Sequence, residues 1–153
     1  MFGSYFKKYR RVKATTVTPH FTKYRGLARR VLLARVAHFA PLCGVTVKRI
    51  AIRNQRRRWG SCSSLGNLNF NYRLIFLPTD LCDYVVVHEL CHLKQLNHSQ
   101  AFWDEVARVI PQYKEQETRL REIEKKYGAA VKQTAHVESS YYGEVLKSLV
   151  VVK

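Results

Sequence analysis

The first half of this 153-residue chain contains no acidic residue. Residues 1–79 carry 17 Lys and Arg but no Asp or Glu, whereas residues 80–153 carry 10 Lys and Arg and 11 Asp and Glu. The net charge of +16 therefore comes from the amino-terminal half. Because a positive field attracts polyanions, nucleic acid or a nucleotide is a candidate partner of residues 1–79. The alternative is that these charges serve solubility alone.

The chain also lacks cysteine pairs and long apolar runs. Its cysteines form no C-x-x-C motif: Cys43, Cys62, Cys82 and Cys91. The amino terminus lacks the apolar core of a secretory signal, so we expect reduced thiols and a cytoplasmic protein. The most apolar helix candidate, residues 31–42, is too short for a bilayer and contains Arg35, so we expect no membrane segment. A hydrophobic fraction of 46% in 153 residues predicts one domain with a core.

The strongest motif is His88-Glu89-Leu90-Cys91-His92, an H-E-x-x-H sequence. On an α-helix His88 and His92 lie on one face, so both imidazoles can bind one zinc ion, with Glu89 placed to take a proton from water. His98 is the candidate third ligand, and Glu105 is a weaker one. Cys91 should point away from the ion, since each helical residue turns about 100°. The alternative is a pair of histidines in a core helix.

The flanking residues favour a helical setting for this motif. Residues 80–87 are apolar apart from Asp80 and Asp83, and Thr79 is the predicted N-cap. Asn97 is a plausible helix break, and Ser99 should cap the next helix, residues 100–110, which Pro111 ends. The corner between the two helices would turn His98 back toward the first two histidines.

The remaining segments predict a mixture of helices and short strands. We expect a basic arm over residues 1–22 with one short strand at residues 15–18. A helix from Thr22 to Leu42 and a strand over residues 45–53 should follow. Residues 59–63 and 68–72 should form a hairpin through a turn at residues 64–67. A charged helix over residues 112–127 should end at Gly128, and residues 128–153 form a carboxyl-terminal extension of unknown role.

Several linked motifs together resemble a known family. They are Arg58-Trp59-Gly60-Ser61-Cys62-Ser63, Asn69-Phe70-Asn71-Tyr72-Arg73-Leu74, Asp83 to Leu93, and Asn97-His98-Ser99 with Phe102-Trp103. Over residues 23–127 the chain resembles the YgjP-like metallopeptidase family, which is related to the SprT-like zinc proteases. The resemblance implies an α+β domain, with a small antiparallel sheet packed against a zinc-binding helix. It also implies one zinc ion held by His88, His92 and His98, with Glu89 as catalytic base.

The spacing of the three histidines also matches that of the metzincins. That group requires glycine where this chain has Gln95, and a Met-turn, whereas the only methionine is Met1. The metzincins are therefore excluded.

Three functional hypotheses follow from the sequence. The first is zinc-dependent hydrolysis of peptide bonds in a polypeptide held along the hairpin, with substrate contacts from Arg58, Trp59, Asn71 and Arg73. For Trp59 and Gly60 the alternative role is packing, with tryptophan over the helix and glycine allowing close approach. The second is a nucleoside triphosphate pyrophosphatase that clamps phosphates with arginines of the segment 53–58. The third is a non-catalytic nucleic-acid-binding protein with a structural zinc, which would need a fourth ligand.

Overall fold

The structure, a computed structural model, describes residues 17–133 and the side chains of residues 17–126. The predicted strand at residues 15–18 and the predicted arm and extension lie largely outside this range. The elements are α1 (Pro19–Cys43), β1 (Arg49–Arg53), β2 (Gly60–Cys62), β3 (Asn67–Asn71), a 3-10 helix (Tyr72–Phe76), α2 (Thr79–Cys91), α3 (Gln100–Val109) and α4 (Tyr113–Gln133). The α+β class predicted from the sequence is confirmed.

Helix α1 begins earlier than the sequence predicted. Thr18, not Thr22, is the N-cap, and its hydroxyl accepts a hydrogen bond from the backbone N–H of Phe21. Pro19 follows at the first helical position, where a missing N–H costs nothing. The helix ends at Gly44, whose φ of 66° suits the left-handed C-cap. One face of α1 is buried against α2 and the 3-10 helix through Phe21, Ala28, Leu32, Val36, Phe39 and Cys43.

The three strands form a mixed sheet in the order β1-β3-β2. The predicted hairpin is confirmed, since β2 and β3 are antiparallel with Gly60 opposite Phe70. The sheet is not wholly antiparallel as expected, because β1 pairs with β3 in parallel, with Ile52 opposite Phe70. The loop after β1 crosses to the far side of β3, so the chain returns through the hairpin in the same direction as β1. Strand β1 is also shorter than predicted, because its pairing covers only the five residues of β3.

The sheet has one buried face and one polar face. Ile52, Leu68 and Phe70 lie on the buried face with the helices. The opposite face carries a polar ladder, in which Asn69 accepts from Arg53 at 3.4 Å and donates to Ser61 at 3.2 Å. Residues alternate between the two faces, so Gly60 lies on the buried side, next to α2.

Helix α2 is the central element, and it is held from two sides. The guanidinium of Arg35 on α1 forms a bidentate ion pair with Asp83. Arg119 on α4 pairs with Asp80 in the first turn of α2. The predicted Thr79 cap is wrong, because Thr79 is already helical and Pro78 is the N-cap residue, without a side-chain cap. The carbonyl of Pro78 instead accepts hydrogen bonds from Leu81 and Cys82.

The last two helices follow the predicted corner. Ser99 is the N-cap residue of α3, as expected, although its side chain makes no capping hydrogen bond, and the helix ends at Val109 before Ile110 and Pro111. Helix α4 does not end at Gly128 but continues to Gln133. A single glycine costs a helix only about 1 kcal/mol, which neighbouring turns offset. No helix in the described part of the chain is long and apolar enough to cross a membrane.

Candidate metal centre

Three histidine side chains converge at the carboxyl end of α2. His88 lies in the last turn of the helix, His92 is its C-cap residue, and His98 follows in the corner before α3. The Nε2 atom of His88 lies 3.1 Å from Nε2 of His92 and 3.1 Å from Nε2 of His98. The structure thus brings together the three ligands predicted from the sequence.

The spacing and orientation of these imidazoles fit a metal ion. Ligand nitrogens at 2.0–2.1 Å from a tetrahedral zinc lie about 3.3 Å from one another, close to the observed separations. His92 is oriented by its other nitrogen, since Nδ1 lies 2.9 Å from the carbonyl oxygen of Gln95. A proton on Nδ1 leaves the Nε2 lone pair directed at the centre of the group. The sequence did not identify this contribution of Gln95, because it comes from the backbone.

Two aromatic rings of α3 pack against the histidine group. His92 stacks on Phe102 with ring centroids 4.4 Å apart, and His98 stacks on Trp103 with centroids 5.6 Å apart. Trp103 in turn stacks on Tyr113 of α4 at 5.2 Å. The corner at Ser99 thus turns His98 back toward His88 and fixes its ring between packed neighbours.

Burial keeps the imidazoles in the form that binds metals. Desolvation lowers the pKa of His88 well below its ordinary value, with a further contribution from its two histidine neighbours. Desolvation also lowers the pKa of His92, to about 4, and the pKa of His98. Neutral imidazoles at physiological pH need release no proton before they bind a cation.

The histidine group has no fourth protein ligand among the described residues. Cys91 points away from it, as predicted, and its thiol shares a hydrogen bond with Cys43 of α1. Glu105, the weaker candidate for the third ligand, instead forms ion pairs with Lys94 at 3.1 Å and Arg108 at 2.8 Å. Three ligands with an open fourth position are typical of catalytic rather than structural zinc sites.

Glu89 follows His88 on α2 and is buried, with only 7% of its surface exposed. Desolvation raises the pKa of its carboxyl to about 8, although the positive charge of Arg58 opposes the shift. Strand β2 packs tightly on this side chain, because a Cβ atom placed on Gly60 would lie 2.7 Å from both Cγ and Oε1 of Glu89. The packing role considered for Gly60 is thus a close approach to the Glu89 carboxylate.

Comparison with known proteins agrees with this geometry. A family described as YgjP-like, metallopeptidase domain, matches residues 13–123. This chain belongs to the YgjP-like family. It is also similar to the crystal structure of the metallopeptidase zymogen of Pyrococcus abyssi abylysin, with 27% sequence identity and a TM-score of 0.54 over 58% of this chain and 90% of that one. No curated protein matches the chain.

Membership of the YgjP-like family confirms the resemblance found in the sequence and marks the chain as a metallopeptidase-type protein. A metallopeptidase requires a divalent metal, and the three histidines supply a ligand group for one.

The other predicted site residues of this YgjP-like protein lie around the loop between β1 and β2. The buried Asn71 amide donates to the carbonyls of Gln55 at 2.6 Å and Arg58 at 3.1 Å, and its oxygen accepts from the Arg73 backbone N–H. The Arg73 guanidinium donates to Asn54 at 2.6 Å. These hydrogen bonds join Asn71 and Arg73 to the loop that presents Arg58.

Trp59 and Arg58 differ in their surroundings. The Trp59 side chain is partly buried against the core and hydrogen-bonds Glu124 of α4, whose pKa is raised by burial and lowered by this bond. Trp59 therefore ties β2 to α4. Arg58 is exposed, yet close enough to act on the Glu89 carboxyl. A role for these four residues in substrate binding stays a prediction.

Proposed function

We propose that this protein is a zinc-dependent metallopeptidase that hydrolyses peptide bonds in polypeptides. His88, His92 and His98 would hold one zinc ion, and Glu89 would act as general base. The observation that carries the proposal is the meeting of three imidazole Nε2 atoms at the end of α2, the helix that also carries the buried Glu89. Nitrogen ligands suit zinc better than magnesium or calcium, which prefer oxygen.

Glu89 performs the proton transfers in this proposal. Zinc, when bound, lowers the pKa of water toward about 7 and polarises the substrate carbonyl. The Glu89 carboxylate takes a proton from the attacking water and later delivers it to the nitrogen of the departing amine. The tight packing of β2 on Glu89 holds the carboxylate in place between these two transfers.

The raised pKa of Glu89 links its role to metal binding. A carboxyl with a pKa of about 8 is largely protonated at pH 7 and cannot act as a base. A divalent cation at the three histidines would lower that pKa by electrostatic attraction. Metal binding would thus convert Glu89 to its basic form only when the site is complete.

Strand β2 supplies a plausible surface for the polypeptide. Because the strand order is β1-β3-β2, β2 is an edge strand, and it is the strand that touches Glu89. An extended peptide can add to such an edge through main-chain hydrogen bonds, which bind many sequences alike. The substrate would then be an unfolded segment, whose backbone is available for pairing.

The test compares the parent protein with Glu89→Gln after loading with zinc. We expect both to bind one zinc ion, and only the parent to release fragments from a denatured, fluorescein-labelled protein. Glu122→Gln, an exposed substitution on α4, is the matched control and should retain activity. Equal proteolysis by the parent and Glu89→Gln would refute the role of Glu89. A zinc-loaded parent that cleaves no polypeptide would refute the proposal.

One observation supports the nucleotide hydrolase as the second candidate. Arg58 lies within electrostatic reach of Glu89, where a phosphate could also lie. Arg53, by contrast, is on the polar face of the sheet beside Asn69, so the arginines of the segment 53–58 do not share one position. Release of pyrophosphate from nucleoside triphosphates, lost in Glu89→Gln, would favour this candidate.

A further inference from the structure

A groove lies between α1 and the outer edge of β1, on the side of the sheet opposite to β2. It encloses about 430 Å³. Five of the eight residues that line it are cationic and none is acidic: Arg25, Arg29, Lys48, Arg49 and Arg53. We call these five residues the basic groove.

The backbone positions of the basic groove favour simultaneous contact with several anionic groups. Arg25 and Arg29 are one helical turn apart on α1, about 6 Å along the axis. Arg49 and Arg53 lie on the same face of β1, about 13 Å apart along the strand. Arg29 is positioned by a hydrogen bond of 3.4 Å to the carbonyl of Ile50, which joins the two walls.

Four of the five cations of the basic groove have no acidic partner in the part of the chain that the structure describes. Among the described residues, no ion pair includes Arg25, Arg29, Lys48 or Arg49, and all four are exposed. The three arginines of the second half are different, since Arg108, Arg119 and Arg121 each have an acidic partner. Like charges gathered in a concave surface repel one another, and a bound polyanion relieves that repulsion.

We propose that the basic groove binds the phosphate backbone of a nucleic acid. A chain of phosphates can enter a groove, whereas a flat anionic membrane cannot. None of the exposed large apolar side chains of residues 17–126 lines the groove, so it offers no surface to insert into lipid. No aromatic residue lines it either, so bases are not stacked and binding should be independent of sequence.

The experiment measures anisotropy of a fluorescein-labelled 20-nucleotide oligothymidine with the full chain at several salt concentrations. The test variant combines Arg25→Gln, Arg29→Gln and Arg49→Gln. The control combines Lys114→Gln, Lys125→Gln and Lys126→Gln, three exposed lysines of α4 with the same total charge. A second test variant replaces the same three arginines with lysine and keeps the charge.

We expect the glutamine groove variant to bind a few hundredfold more weakly at 50 mM salt, and the control to bind within about twofold of the parent. Each phosphate contact contributes about 0.7 to the slope of log affinity against log salt, so the groove variant should lose about 2 from that slope. The lysine variant should bind like the parent, because it keeps the three positive charges. Its binding would show that the glutamine variant loses affinity through lost charge and not through misfolding.

Three results would overturn the proposal. They are equal losses in the groove and control variants, an unchanged affinity in the groove variant, and groove-dependent binding to phosphatidylserine vesicles with none to the oligonucleotide. Peptide hydrolysis should be unaffected by the groove variant, because the groove lies at the sheet edge away from Glu89. If the protein proved not to hydrolyse peptides, the oligonucleotide binding experiment would therefore still test the basic groove.

Discussion

Replacement of Gly60 by alanine tests whether strand β2 positions the carboxylate of Glu89, the proposed general base. The added Cβ would lie 2.7 Å from Glu89 Cγ and Oε1 and 2.8 Å from Cδ, whereas ordinary contacts begin near 3.4 Å. Glu89 or the strand must therefore move by about 0.7 Å. Gly60 is not among the described glycines with positive φ, so backbone strain does not contribute.

The expected effect of Gly60→Ala is greater on catalysis than on folding. Overpacking of a buried site costs about 1–3 kcal/mol of unfolding free energy. A catalytic group displaced by up to about 1 Å can lose roughly 100-fold in rate, so kcat/KM should fall by about 30–100-fold. Zinc content should stay at one ion, because the three histidines are not displaced. Hydrolysis of a labelled unfolded protein, urea denaturation and metal analysis measure the three quantities.

Gly26→Ala is the matched control for that substitution. Nothing lies within 4 Å of a Cβ at this helical position, so activity should be unchanged and stability should rise by about 1 kcal/mol. Full activity in Gly60→Ala would refute the positioning role of β2. Loss of zinc would show that the substitution disturbs the histidine group instead.

Two further predictions concern stability. Asn71→Ala should lower the free energy of unfolding in urea by about 2–4 kcal/mol, because it leaves the Gln55 and Arg58 carbonyls without their amide donor, and an unchanged midpoint would contradict this. The second prediction concerns the metal-free protein in the presence of a chelator. The pKa of Glu89 is about 8 in the folded protein and 4.5 without the fold, so folding favours the protonated carboxyl. The stability that this preference contributes is lost as the pH rises from about 4.5 to 8. Glu89→Gln should therefore gain stability relative to the parent across that window, by up to roughly 5 kcal/mol, and equal pH profiles in the two proteins would contradict this.

The sequence predicted the grouping of the three histidines because that grouping is local. His88 and His92 share one helix, and the break at Asn97 with the cap at Ser99 accounts for the return of His98. The antiparallel hairpin was also predictable, since a short turn joins its strands.

Features that depend on distant residues were not predictable in the same way. Strand β1 pairs in parallel with β3, although β2 and two loops lie between them in the sequence. No local sequence pattern predicts this pairing. The sequence suggested that Gly60 allows a close approach, but only the fold shows that the neighbour is Glu89. Two helix ends were also misplaced. Thr18 and Pro19 start α1 ahead of Thr22, and the single Gly128 does not stop α4, which continues to Gln133.

The central claim is that three imidazoles bind one zinc ion and leave a position open. Zinc K-edge X-ray absorption of the protein loaded with one equivalent of zinc tests it most directly. The predicted spectrum has three imidazole nitrogens at about 2.0–2.1 Å and one oxygen from solvent. A sulfur ligand at about 2.3 Å, or a shell with fewer than three imidazoles, would contradict the claim.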